Sequence, residues 1–146
     1  NRTAEIKKDL SNLNLNVILY TDISQINNET DVLLVDTYGD APKFFEISKN
    51  VFLGGSLISH GGQNPIEASR LGCKIFHGPH INNFSEIYAL LKKINLSFKV
   101  KNTTELVNKV DKSLFKNLNS SKKINKLKKI GVSILKKNYS EVNNYI

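Results

Sequence analysis

Short apolar runs alternating with segments of helical spacing are what most constrain this chain. The runs are VILYT (17–21), DVLLVDT (31–37), VFLGG (51–55), KIFH (74–77) and SFKV (97–100). Between and around them lie amphipathic stretches. Residues 3–14 carry Ile6, Leu10 and Leu13 one helical turn apart, and Phe44, Phe45 and Ile47 fit a short helix after Pro42. Further helices are expected over Pro65–Leu71 and Phe84–Ile94 and from Thr103 or Thr104 onward. Thr103 has Leu106 three residues on, so no capping box is read there, and Thr104 caps alone. The last stretch, Ser120–Asn138, places Ile124, Leu127, Ile130, Ile134 and Leu135 on one stripe. DVLLVDT is apolar in both registers of a strand, as central strands of parallel sheets are. Strand–helix alternation of this kind predicts an α/β fold: a Rossmann-like parallel sheet with helices on both faces.

At 146 residues the chain matches a single domain, 1–146, with a helical tail from about 103 to 146. Its 40% hydrophobic and 23% charged residues are those of a globular domain, and no apolar run approaches the roughly 20 residues of a membrane span. No signal-peptide pattern is present, and the first residue is Asn1 rather than Met, which suggests a piece of a longer protein. Cys73, the single cysteine, has no internal partner and lies in a strand-like run, so it reads as a small buried hydrophobe in a reducing compartment.

The formal charge is +8, and the excess falls late: seven lysines (122, 123, 126, 128, 129, 136, 137) and no acid between Ser120 and Lys137. A solvated helix face is the plainest reading. Attraction to an anionic surface is the sharper one, and lipid fits it better than nucleic acid, because the run has no Arg and no interleaved aromatic residue.

In an open parallel sheet, ligands sit beyond the carboxyl ends of the strands. Three loops meet that condition: DTYGDAP (36–42), the glycine-rich stretch within VFLGGSLISHGGQNPIEASRLG (51–72), and HGPHINNF (77–84). The second holds five of the eight glycines, including the pairs Gly54-Gly55 and Gly61-Gly62. Asn64 before Pro65 is a strong helix start, and free N–H groups at a helix start suit a phosphate that the glycines let come close. Glu67, in the first turn, either complements that helix end or accepts hydrogen bonds from sugar hydroxyls; both readings stand. The stretch is neither a P-loop nor a GxGxxG fingerprint. His60, His77 and His80 have no carboxylate or thiolate at metal-ligand spacing, so no metal is expected. His60 and His80 read as donors to an anionic ligand, and His77 as a strand end.

The three loops together resemble the C-terminal half of the 3-deoxy-D-manno-octulosonic acid (Kdo) transferases. DTYGD (36–40), VFLGGSLISHGGQNPIEASRLG (51–72) and IFHGPHINNF (75–84) follow the family patterns D-[ST]-x-G-E, F-V-G-G-S-L-x-x-x-G-G-H-N-P-L-E-x-A and G-P-H-x-x-N-F. The likeness spans roughly residues 1–100; the tail shares only its helical character. What the resemblance implies is the donor-binding domain of an inverting, two-domain GT-B glycosyltransferase, with no cofactor, binding CMP-Kdo. The acceptor would be lipid A precursor, met at the cytoplasmic face of the inner membrane in lipopolysaccharide biosynthesis. Family CMP contacts fall on Tyr38, Gly39 and Asp40 and on Asn64, Pro65, Ile66 and Glu67. Gly61 and Gly62 match the glycines before that helix, and Gly78, Pro79 and His80 the motif lining the donor side. Asp40 stands where the family has Glu, and Gln63 where it has His. The family's Arg-His-Pro segment should lie just before Asn1, and its general base in an N-terminal acceptor domain, so no catalytic residue is expected here and the fragment alone should be inactive.

Two other functions fit the bare residues: a GT-B domain for a UDP-sugar, and a non-enzymatic module whose basic tail docks on nucleic acid or anionic lipid. Nucleotide-induced thermal shifts separate the first from Kdo transfer, and steeply salt-dependent DNA binding without such a shift marks the second.

Overall fold

A computed structural model describes residues 2–114 and 120–143; the expected tail at 115–119 and 144–146 lies outside the described residues. Where length alone suggests one domain, the chain divides into two compact units, Asn1–Ala41 and Pro42–Ile146.

The first unit holds helix α1 (Arg2–Asn12), strand β1 (Val17–Leu19), a 3₁₀ segment (Tyr20–Gln25) and strand β2 (Val32–Leu34). β1 and β2 pair in parallel, Val17 opposite Val32 and Leu19 opposite Leu34. Both strands are shorter than their apolar runs. Tyr20 and Thr21 turn into the 3₁₀ segment, and two aspartates close the ladder with side chains rather than backbone. Asp31 accepts the Asn16 amide (2.8 Å), and Asp36 accepts the Thr21 amide (3.2 Å) and hydroxyl (2.9 Å). These bonds hold the Asp36 carboxyl below its ordinary pKa, the Thr21 hydroxyl contributing most. The expectation of a strand buried over 31–37 is therefore corrected: β2 is three residues long and half-buried throughout.

The second unit holds α2 (Ala41–Ile47), β3 (Asn50–Phe52), α3 (Ile66–Arg70), β4 (Lys74–His77), a 3₁₀ turn (Asn82–Phe84), α4 (Ser85–Lys93), β5 (Ser97–Lys99), α5 (Thr103–Leu114) and α6 (Ser120–Asn143). Its sheet has the order β3-β4-β5, all parallel, with Val51 opposite Ile75 and Phe76 opposite Phe98. Central β4 is buried at all four positions. Leu53, Ala68, Cys73, Ile75, Tyr88, Leu91, Ile94 and Leu96 form one core cluster, with Leu127 and Ile130 of α6 packed against it. The alternation read from the sequence thus yields the α/β class expected.

Cys73 is buried, donates its thiol to the carbonyls of Phe45 and Ser48 (both 3.2 Å), and has its pKa raised by burial, the opposite of a nucleophile's environment. Lys74 is likewise buried; its ammonium donates to Ser113 Oγ (2.5 Å), whose hydroxyl donates to Asn50 Oδ1 (2.6 Å), tying the end of α5 to β3 and β4.

Two helical details differ from the sequence reading. The cap of α5 is Asn102, not Thr103 or Thr104. Its Oδ1 accepts the Glu105 amide (2.9 Å), while Glu105 Oε2 reaches back past the cap to accept the Lys101 amide (2.8 Å), a variant of the capping box. The apolar stripe of α6 is also only half-buried, and only over its first half: beyond Ile130 every described side chain is exposed, Ile134 and Leu135 included, because the core that receives Leu127 and Ile130 ends there.

Candidate functional site

The loops after β3 and β4 leave the carboxyl edge of the second unit's sheet, where ligands of parallel sheets collect. They are interlocked, and the residue that locks them is Ser56. It is wholly buried. Its hydroxyl donates to the Leu53 carbonyl (2.6 Å) and accepts the Gly78 amide (2.9 Å), while its carbonyl accepts the His80 amide (2.9 Å). A Cβ built on Gly78 would lie 2.1 Å from the Ser56 oxygen, so only glycine admits this backbone contact.

The close approach that the glycines permit is partly internal to the chain. Gly61 and Gly62 take φ of +89° and +74°, and a Cβ on them would meet Asn83 Nδ2 at 2.9 Å and the His80 carbonyl at 3.0 Å. What comes so close to this backbone is, at these points, the neighbouring loop of the same chain. The structure thereby brings together His60, Gly61, Gly62, Gly78, Pro79 and His80; His60 and Pro79 are exposed, His80 is half-buried, and Gly62 and Gly78 are buried.

The start of α3 lies one residue later than the sequence reading expects. Asn64 Oδ1 accepts the Ile66 amide two residues on (3.0 Å), a turn that leads into the helix, and Pro65, at φ −86°, is itself the N-cap residue rather than the first helical position. The Ile66 amide is thus taken by Asn64, and Ser69's goes to the Pro65 carbonyl; those of Glu67 and Ala68 carry no hydrogen bond among the described residues. With only five residues in α3, local N–H groups matter here more than any macrodipole. Ile66 and Glu67 are exposed. Both also line a cleft of about 780 Å³ beneath α6, with Leu71, Ile87, Leu127 and Ile134, whereas His60, Gly61, Gly62, Asn64, Gly78, Pro79 and His80 do not. That cleft's walls are mainly aliphatic, with Glu46, Glu67, Arg70 and Lys128 also lining it, and it is the gap left where α6 bridges α3 and α4.

Behind the loops lies a layer that sequence reasoning did not assign. Tyr88, on α4, donates its hydroxyl to the Gln63 carbonyl (3.0 Å), and burial pushes its pKa up to about 12, so the donor proton stays in place. His77 packs against Tyr88 with the rings tilted by 47° and their centres 4.3 Å apart, and hydrogen-bonds the Gly78 carbonyl through Nδ1 (2.7 Å). A carbonyl only accepts, so Nδ1 carries the proton. Burial is the main cause that lowers this histidine's pKa; Lys99 and Lys109 add repulsion, and the Gly78 bond opposes them. The family pattern includes the serine at Ser56 without giving it a role, and no motif covers Tyr88, although a phenol on an apolar helix face was a visible signal.

Tyr38, Gly39 and Asp40 belong to the first unit. Tyr38 is fully exposed at 104%, Gly39 has φ +85°, and the Thr37 hydroxyl donates to Asp40 Oδ2 (2.5 Å). Among the described residues no group of three or more His, Cys, Asp or Glu is placed to hold a metal ion.

No family model matches the chain. It is 32% identical over 112 residues to the 3-deoxy-D-manno-octulosonic acid transferase of Haemophilus influenzae, covering 77% of this chain and 26% of that one. To the enzyme of the same name from Aquifex aeolicus it is 34% identical over 88 residues, 60% of this chain and 25% of the relative. The chain therefore spans about a quarter of the length of the curated relatives it matches. Its fold is similar to the crystal structure of the C-terminal CMP-Kdo binding domain of WaaA from Acinetobacter baumannii, with a TM-score of 0.78 and 25% identity, over 88% of this chain and 67% of that one. Both its sequence and its arrangement of parallel strands and helices make this chain similar to the C-terminal domain of the 3-deoxy-D-manno-octulosonic acid transferases.

Proposed function

We propose that the chain is the donor-binding part of an inverting GT-B glycosyltransferase that moves Kdo from CMP-Kdo to a lipid A precursor in lipopolysaccharide biosynthesis. One observation carries this reading: loops 54–62 and 77–84 are locked together beyond β3 and β4, in a fold shared with a solved CMP-Kdo binding domain. The start of α3, behind the Asn64 turn, offers the Glu67 and Ala68 amides to the phosphoryl group, and His60 and His80 serve the same anion from the loops. Glu67 accepts from the ribose hydroxyls. In the first unit, Tyr38, Gly39 and Asp40 are proposed as nucleotide contacts of their own.

Transfer then divides between two parts of the enzyme. A carboxylate of the family's N-terminal domain takes the acceptor's proton, as the resemblance implies, while this domain stabilises the departing CMP electrostatically. The chain alone binds donor without turning it over. In the cell it works at the cytoplasmic face of the inner membrane, a placement supported by the lysines of α6.

The test is nucleotide binding to this chain. CMP should raise its melting temperature and UDP should not, since a ligand of the native state stabilises by RT ln(1 + [L]/Kd). Glu67→Ala should weaken CMP by about tenfold in calorimetry while melting as the wild type does. A larger shift with UDP favours the other donor class, and no shift with either removes donor binding. An unchanged CMP affinity in Glu67→Ala takes that side chain out of the site.

A further inference from the structure

We propose that Ser56 is the positioning residue of the donor site, a clasp that holds the two donor loops in register without touching the nucleotide; the inference rests on the donor-binding reading above. Ser56 is wholly buried, and both its polar groups are committed to the protein. The hydroxyl, anchored by donating to Leu53 at the end of β3, accepts the amide of Gly78 at the end of β4; the carbonyl accepts the amide of His80 two residues on. One residue thereby fixes the spacing between the loop bearing His60, Gly61 and Gly62 and the loop bearing Pro79 and His80. Gly78 is the complementary half, because any Cβ there overlaps the Ser56 carbonyl. Long polar loops left unclasped would have to be ordered each time a nucleotide bound, and that ordering entropy subtracts from affinity. A clasp set before binding removes the cost, so its loss should appear in nucleotide affinity and not in stability alone.

The control is Ser97, another buried serine, whose hydroxyl donates to the Tyr88 carbonyl (3.0 Å) and touches neither loop. Calorimetry with CMP and amide hydrogen exchange are measured on the wild-type chain, Ser56→Ala, Ser97→Ala and the near-isosteric Ser56→Cys, which keeps the packing should the alanine variant fold poorly. Ser56→Ala should weaken CMP roughly three- to tenfold, the range of one to two lost hydrogen bonds, and should speed exchange at the Gly78 and His80 amides without any nucleotide. Ser97→Ala should lower the melting temperature and leave CMP affinity unchanged. Unaltered exchange at Gly78 and His80 in the Ser56 variants overturns the clasp. Faster exchange with wild-type CMP affinity, or equal CMP weakening by Ser97→Ala, overturns Ser56's part in donor binding. A wild-type chain indifferent to CMP, with exchange still responding to Ser56→Ala, instead fails the donor-binding reading itself.

Discussion

His77 shows how one residue couples packing to proton binding. It ends β4, is 4% exposed, and presses its ring on Tyr88 while Nδ1 donates to the Gly78 carbonyl. Burial leads the causes that hold its folded pKa below the ordinary 6.5. Between the folded and unfolded values the unfolded chain binds the extra proton, so stability rises with pH there. The neutral ring's contribution should be complete above about 6.5 and should fade as pH falls through the folded value. Melting temperature measured across that window should fall with acidification in the wild type and fall less in His77→Gln; parallel curves remove His77 as the cause. The sequence presents this residue only as the last member of an apolar run. What decides its state is a tyrosine eleven positions later, brought under it by α4.

The same joint from helix to strand occurs three times. At Asn14, Gly72 and Asn95 the chain turns left-handed, with φ of 60°, 81° and 56°. The next amide then reaches back five residues: Leu15 to the Leu10 carbonyl (3.3 Å), Cys73 to Ala68 (3.1 Å) and Leu96 to Leu91 (2.9 Å). This is the Schellman closure, in which the residue after the turn is apolar and seals the joint; Cys73 and Leu96 are buried in the core. Asparagine tolerates the left-handed region better than other residues with a Cβ, and glycine tolerates it best. Asn95→Ala should therefore lower unfolding free energy by about 1 kcal/mol, whereas Asn95→Gly should match or exceed the wild type in chemical denaturation. An alanine variant as stable as the glycine variant contradicts that account of the joint. Gly72 is a plain stop signal in the sequence. The two asparagines were equally readable, each set between apolar residues at the end of a helical stripe, as was Asn102 three residues before Glu105.

For the chain as a whole, charge and exposed apolar surface meet on α6. Val132, Leu135 and Tyr139 recur at three- and four-residue spacing and are at least half exposed, flanked by Lys128, Lys129 and Lys136. Such a face fits an anionic lipid surface, each nearby lysine adding about 1 kcal/mol. The chain should sediment with vesicles containing phosphatidylglycerol and not with phosphatidylcholine alone, release as salt rises from about 0.05 M to 0.5 M, and bind less as Leu135→Glu. Equal binding to neutral vesicles, or none to anionic ones, removes this surface from the localisation. Sequence alone determined the α/β class, the parallel pairing and the three loops, because strand and helix periodicity and the turn chemistry of glycine, proline and asparagine act over a few neighbouring residues. It also carried the family resemblance, since loop motifs survive as strings of residue types. The tertiary structure alone decided that Ser56 joins loops 22 positions apart, that Gly61, Gly62 and Gly78 are small in part to admit a neighbouring loop, and that half of the α6 stripe stays outside the core. Each of these depends on which distant backbone arrives at a given point, and local periodicity holds no information about that.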